Sequence, residues 1–196
     1  MARQLDDATL DQLFRTARTR NSWVQEELPE SLYQAIYELM KFGPTSANCS
    51  PARLVWVTSV AGRKRLAELA APANAPKILQ APCTVIIGHD LQFAELLPRL
   101  FPHNLAMKDY FRDARAAEIT AVRNGTLQGA YLMIAARAMG LDCGPMSGFD
   151  QAGVDKEFFS GTTVKSNFIC CLGHGTEQNL FGRSPRLDFA ETSRFA

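Results

Sequence analysis

Apolar residues along this chain recur with two different periods, and each change of period marks a boundary. Leu5, Leu10, Leu13, Phe14 and Ala17 return at helical spacing, so residues 5 to about 20 read as an amphipathic helix. Pro29 and Glu30 open a second helix with Leu32, Ile36, Leu39 and Met40 inward. Gly43-Pro44 closes it, because glycine relieves a helix end and proline cannot continue it. Residues 54–58 and 84–87 are β-rich runs short enough for strands, the second apolar enough to be buried on both faces. Between them, residues 61–71 are helical up to Pro72, and a short helix through Lys77 precedes Pro82. Residues 90–113 are aromatic-rich, interrupted by Pro98 and Pro102, and read as irregular. A long helix spans 114–139 and stops at Gly140. Its stretch 127–138 is apolar nearly all round, so it must be central or lie against a partner chain. A short helix at 154–159 and a buried strand at 167–172 follow. The tail from Gln178 is polar with scattered Phe and Leu, like an arm laid along another surface. Three or four strands among about six helices give an α+β or three-layer fold. No repeat or low-complexity linker divides the chain, so a single domain over 1–196 is expected.

Composition narrows the function classes. A chain of 196 residues with 46% hydrophobic content can bury a core without disulfides or structural metal. Twenty-one basic and twenty acidic side chains leave a formal charge of +1, with no electrostatic reason to expect nucleic acid or an anionic membrane. The longest apolar stretch, 131–136, ends at Arg137, well short of the about 18 residues that span a bilayer. The first residues lack the apolar run of a secretory signal, and the five cysteines form no CxxC pair. A reduced, cytoplasmic protein is the economical reading.

Several motifs dissolve on inspection. Gly173-His174-Gly175 follows a strand but lacks the third glycine of a dinucleotide fingerprint, and reads as a turn. Cys171 and His174 have ligand spacing without a second pair to complete a metal site. Cys170 and Cys171 point to opposite faces of a strand and read as small buried apolar residues. Ser147, Asp150 and His174 have the residue types of a hydrolytic triad, but Pro145 and Phe149 break the G-x-S-x-G pattern.

Four segments point to a ligand when taken together. Arg18-Thr19-Arg20-Asn21 offers guanidinium forks and a hydroxyl suited to phosphate oxygens. Phe42-Gly43-Pro44-Thr45-Ser46-Ala47-Asn48-Cys49-Ser50-Pro51 crowds hydrogen-bonding groups between two prolines, a rigid polar loop able to meet the edge of a flat heterocycle. Asn74 and Lys77 lie three residues apart on one helical turn and can reach the same ligand edge. Gly144-Pro145-Met146-Ser147-Gly148-Phe149-Asp150 follows a strand, with glycines that let backbone approach a ligand closely.

In this order and spacing the four segments resemble the FMN-dependent nitroreductase family over essentially the whole chain, and most closely its subgroup containing the malonic semialdehyde reductase of pyrimidine catabolism. The resemblance implies an α+β, three-layer fold with a central, mostly antiparallel sheet flanked by helices. It further implies an intertwined homodimer with FMN held between subunits. Carried over by position, Arg18, Thr19, Arg20, Asn21 and Arg183 take the FMN phosphate end. Pro44, Thr45, Ser46 and Asn48 match the loop presented to the isoalloxazine by the partner. Asn74 and Lys77 match the pair at the flavin's pyrimidine edge, with Lys77 as the cation that compensates charge at N1 and O2. Pro145, Met146, Ser147 and Gly148 match the segment packed by N5, where the Ser147 amide would donate. The motif departs from the family at Asn21, where a second basic residue is usual, and at Ser50 and Ala52, in place of glutamine and tryptophan.

The activity so implied is NAD(P)H-dependent reduction of a small aldehyde, nitro compound or quinone through flavin, in a ping-pong cycle. Reduction of malonic semialdehyde to 3-hydroxypropionate is the expected instance, with NADH or NADPH as co-substrate. A broad nitro or quinone reductase and a flavin-binding module without turnover are the alternatives. Phe93, Phe101, His103, Tyr110 and Phe111 would wall the open face or simply pack on the core. The apolar stretch 127–138 would form the dimer interface.

Overall fold

The structure is a computed structural model describing residues 3–196. Met1 and Ala2, which belong to the stretch read for a secretory signal, lie outside the described residues. The first helix is shorter than its periodicity predicts. Helix α1 (Asp7–Leu10), capped by the Asp6 carboxylate on the Thr9 amide, passes into a π-helical turn over Asp11–Arg15 and ends there. Tertiary pairing overrides the local pattern beyond that point. Thr19 bridges Cys143, and the Arg20 amide donates to the Cys143 carbonyl at 3.0 Å, so the Arg18 cluster is extended chain at a sheet edge rather than a helix end.

Helix α2 (Glu30–Met40) buries Tyr33, Ile36 and Met40. It is followed by β1 (Ala52–Val57), α3 (Val60–Glu68), α4 (Ala75–Gln80) and β2 (Cys83–Asp90). Pro76 sits in the first turn of α4, where its missing N–H is no loss. The segment 90–113 is more ordered than expected, with a 3-10 turn over Phe93–Leu96, α5 (Leu97–Leu100) and α6 (Met107–Tyr110). Helix α7 (Ala114–Ala138) starts at Asp113, whose carboxylate accepts from the Ala116 amide, and is followed by Gly140 at φ 85°. Then come β3 (Asp142–Met146), α8 (Gln151–Phe158), β4 (Val164–Gly173) and, in the tail, α9 (Phe189–Thr192). Gly144, Pro145 and Met146 therefore lie within a strand rather than after one. Pro145 is tolerated there because β3 is an edge strand.

The sheet has the order β1-β2-β4-β3 and is antiparallel throughout. Between β2 and β4 the register slips at Ile87/Gly88, leaving Asn167 as a bulge. One face carries α2 and α7, where Ile36, Met40, Leu132 and Ala136 pack on Val85, Ile87 and Cys170. The other carries α3, α4 and α8, where Leu66, Ile78 and Val154 pack on Ile86, Ile169 and Cys171. The adjacent cysteines thus serve opposite layers, as strand alternation requires.

Glycines bring α7 close to the sheet. A Cβ at Gly125 would stand 2.9 Å from the His89 Cβ, and one at Gly129 would stand 2.4 Å from the Phe168 ring. The apolar run of α7 is only partly absorbed by the chain's own core. Leu132, Ala135 and Ala136 are buried, while Leu127 keeps 40% of its surface exposed. Among the described residues no helix is long and apolar enough to cross a membrane.

Candidate functional site

The π-helical turn Asp11–Arg15, the extended segment after it, α4, the end of α7 and the tail enclose a cavity of about 620 Å³. Arg18, Thr19, Asn21, Lys77 and Arg183, far apart in sequence, all line it, together with Arg15, Arg137 and Arg186. Among the described residues its wall holds six cationic side chains and no carboxylate. Arg15 is neutralised by Asp7 and Asp11 at 2.7 and 2.5 Å. Arg18 and Arg183 donate only to backbone carbonyls, those of Phe181 and Ala17, the latter at 3.1 Å. Their charge is therefore left for a ligand, and the same bonds fold the tail back over residues 17–21. Asn21 joins in, donating to the Asn179 carbonyl at 2.9 Å. Arg137 donates to the Leu13 carbonyl at 3.0 Å while its buried Nε has no partner among the described residues. Sequence reasoning missed Arg15, Arg137 and Arg186; for Arg137 the signal was present, a lone cation ending an apolar run.

Arg20 does not face this cavity. Its guanidinium is drawn to Glu177 at 2.7 Å and Asp142 at 3.3 Å, and its stem packs on Gly175. The hydrogen bond it donates to the Glu177 carboxylate raises its pKa against the opposing effect of burial. It pins the segment to β3 and the tail instead of supplying the charge absent at Asn21.

Lys77 connects the cavity to a second group of predicted residues. Its Nζ donates to Asn74 Oδ1 at 3.3 Å, and Asn74 Nδ2 donates to the Gly148 carbonyl at 3.0 Å. The Ala71 amide donates to the same carbonyl at 2.9 Å, fastening the loop after β3 to the loop before α4. A Cβ at Gly148 would lie 2.9 Å from Asn74 Nδ2, so this contact requires glycine. The β3–β4 ladder ends at Met146 and Ile169; Ser147 beyond it is exposed, and its amide can donate outward. Met146 is buried in the core, and Pro145 stands opposite Cys170 in the ladder.

The loop 43–51 lies elsewhere, and none of its residues lines the cationic cavity. Ala47, Asn48 and Ser50 hold φ values of 48°, 50° and 40°, a conformation that costs non-glycine residues about 1–3 kcal/mol each. Such strain persists only where surrounding contacts impose it. Asn124, buried in α7, accepts from the Ser46 amide at 2.8 Å; Tyr131 donates to the Pro44 carbonyl at 3.0 Å; Asn48 Nδ2 donates to the Leu100 carbonyl at 2.8 Å. Pro44, Ser46 and Asn48 are exposed, with Thr45 half-buried. The strained loop and the cationic cavity are thus separate features of one chain, both in contact with α7.

The remaining candidates separate. Asp150 caps α8 through the Gly153 amide at 3.1 Å, and His174 Nδ1 lies 2.6 Å from Glu26 Oε1, so no triad with Ser147 is assembled. Of the aromatic segment, Phe93 is wholly buried and meets Phe111 edge-on at 4.9 Å, which makes it core, whereas His103 and Tyr110 are exposed.

An antiparallel four-stranded sheet between two helical layers, with a basic cavity beside the segment that pairs with β3, defines an α+β protein. The sequence profile of the Nitroreductase family matches residues 2–174, and the chain belongs to that family. A protein of Caulobacter vibrioides (strain NA1000 / CB15N) named "Putative NADH dehydrogenase/NAD(P)H nitroreductase" is 60% identical over 191 residues, covering 97% of this chain and 98% of its own. A protein of Exiguobacterium sibiricum 255-15 named "putative nitroreductase" and solved in complex with FMN superposes with a TM-score of 0.86 at 17% identity, covering all of both chains. A protein of Staphylococcus epidermidis named "putative NAD(P)H:FMN oxidoreductase" gives 0.83 at 18% identity, over 100% of this chain and 98% of its own.

Proposed function

We propose that this chain is an FMN-dependent NAD(P)H oxidoreductase that works as an intertwined homodimer, with each flavin held by the cationic cavity of one subunit and the loop 43–51 of the other. The observation that carries the reading is the carboxylate-free wall of cations joined through Lys77 and Asn74 to the Ser147–Gly148 turn. A phosphate-bearing heterocycle fits that donor set, and the orphaned Arg137 Nε is a further donor in the same wall. The half-buried apolar strip of α7 and the exposed tail aromatics Phe181, Phe189 and Phe195 support association of two copies. The Caulobacter relative's name and the FMN in the Exiguobacterium structure point the same way.

When bound, FMN supplies the redox chemistry, taking a hydride from NADH or NADPH and yielding it to the acceptor in a ping-pong cycle. Arg18 and Arg183, with Thr19 and Asn21, hold the phosphate. Lys77, steadied by Asn74, places a positive charge where negative charge develops at the N1/O2 edge. The Ser147 amide donates toward N5, and Gly148 keeps the turn close enough for it to do so. Pro44, Thr45, Ser46 and Asn48 of the second subunit close the ring's other side and limit water.

The acceptor we assign is malonic semialdehyde, reduced to 3-hydroxypropionate; support comes from the motifs at 42–53 and 144–150. The relatives' names favour a second reading, a broad nitro or quinone reductase. Purified protein incubated with FMN should turn yellow, bleach on mixing with NADH or NADPH, and recolour with acceptor. Turnover of malonic semialdehyde, a nitroaromatic and a quinone measured side by side ranks the acceptors. Protein that remains colourless after excess FMN overturns the reading, and a yellow protein that never bleaches reduces it to a binding module.

A further inference from the structure

A second basic cavity, of about 590 Å³, opens between the end of α2, the loop 43–51 and α5. It shares no residue with the first. Lys41, Arg53 and Arg99 stand in its wall beside Asn48 and Ser50, and among the described residues that wall holds no carboxylate. Two of the three cations are already matched: Lys41 by Glu38, and Arg53 by Asp90 at 2.7 Å. Arg99 makes no ion pair among the described residues. It rides on α5, whose last carbonyl, that of Leu100, holds the Asn48 amide, so Arg99 is indexed to the strained loop. Phe42, Leu54 and Leu96 supply the apolar remainder of the wall.

We infer that Arg99 is a specificity-determining residue that pairs with a carboxylate on the acceptor, so that the enzyme favours short carbonyl or nitro compounds bearing a carboxylate over neutral ones of like size. This deepens the function proposed above and rests on it for the position of the loop beside the flavin. The recognition follows from charge. A guanidinium presents a planar fork that meets a carboxylate through paired hydrogen bonds, in a wall where no anion competes for it. Arg53 and Lys41, each tied to an acid, are held in place and leave Arg99 as the unmatched charge of that wall.

The test is the ratio of kcat/KM for a carboxylated acceptor to that for its neutral analogue. Malonic semialdehyde against propanal is one pair, and 4-nitrobenzoate against nitrobenzene is the other. In Arg99→Gln the ratio should fall about 2- to 5-fold, the range expected for a charge pair at an exposed side chain. Arg99→Lys should keep part of it, and Arg115→Gln, an exposed change at the start of α7, should leave it intact. A ratio unmoved by Arg99→Gln in both pairs overturns the inference. So does an increase in the KM for NADH or NADPH in place of the acceptor effect, which would assign the cavity to the dinucleotide. Calorimetric titration with malonate reads the cavity without turnover. The wild-type chain should bind it and Arg99→Gln should not, even if the protein proves colourless and the flavin reading fails; equal binding by both refutes the role of Arg99.

Discussion

Replacing Lys77 with methionine removes a charge while keeping most of the side chain's bulk. In the structure Lys77 is half-buried and its hydrogen-bond partner is the neutral Asn74 Oδ1 at 3.3 Å, with no carboxylate in the cavity wall to offset the ammonium. A preorganised donor of this type contributes about 3 kcal/mol to a developing negative charge. Solvent reaching a half-exposed site screens roughly half of that, leaving about 1.5 kcal/mol. For a two-electron couple about 30 mV corresponds to 1.4 kcal/mol, so Lys77→Met should lower the midpoint potential of bound FMN by about 30 mV. If the same charge is felt in the transition state, hydride uptake from NADH slows about tenfold. Spectroelectrochemical titration gives the first quantity and stopped-flow bleaching of the flavin colour gives the second. Lys77→Arg should restore most of both. A Lys77→Met protein with full FMN occupancy, unchanged potential and unchanged bleaching would refute the assignment of Lys77 as the charge at the pyrimidine edge.

Further outcomes follow from the same geometry. Gly43→Ala would drive its Cβ to 2.1 Å from the Tyr131 ring, displacing the hydroxyl that holds the Pro44 carbonyl; urea unfolding should show a loss of about 1–3 kcal/mol, and an unchanged midpoint would contradict the packing. Burial pushes the thiols of Cys83 and Cys171 up to about 12 and that of Cys49 to about 11, from an ordinary value of 9.0. Unfolded thiols then lose protons first, so these groups contribute stability fully below about pH 9 that drains away as pH rises toward 11–12, and thermal melts across that range should fall. The same thiols should resist alkylation at pH 8 until denaturant is added, whereas rapid labelling of the native protein would show them to be accessible. Diluting the flavin-loaded protein until sedimentation shows monomers should release FMN, because half of each site departs with the other subunit; retention by a stable monomer excludes a shared site.

Where local pattern and tertiary environment agree, the chain could be read directly. Residues 84–87 and 167–172 were legible as strands because nothing but a doubly covered sheet accommodates such apolar runs, and β2 and β4 occupy the two central places. The long helix was legible over 114–139 because its pattern runs unbroken to Gly140; the structure ends it at Ala138 and adds the Asp113 cap at its start. The first helix was overextended because Ala17 continues the apolar spacing of Leu10, Leu13 and Phe14, while the backbone of Thr19 and Arg20 is claimed by β3, a pairing no local window contains. At the candidate site, Arg18, Thr19, Asn21, Lys77 and Arg183 converge as the motifs suggested. Arg20 turns aside for Asp142 and Glu177, partners distant in sequence and invisible to motif spacing. Arg99 escaped notice for the same reason, being an ordinary surface residue type until the fold brings it to a cavity wall, whereas Arg137 stood out as the cation ending an apolar run.

Helix α7 touches both features, through Asn124 and Tyr131 at the strained loop and through Arg137 at the basic cavity. From Asn124 to Arg137 the helical rise amounts to about 20 Å. Seated by Gly125 and Gly129 against the sheet, this rod cannot slide or roll without collision. It therefore acts as a gauge block: the distance between the basic cavity and the strained loop is set by a count of residues, and an insertion within α7 would throw both out of alignment together.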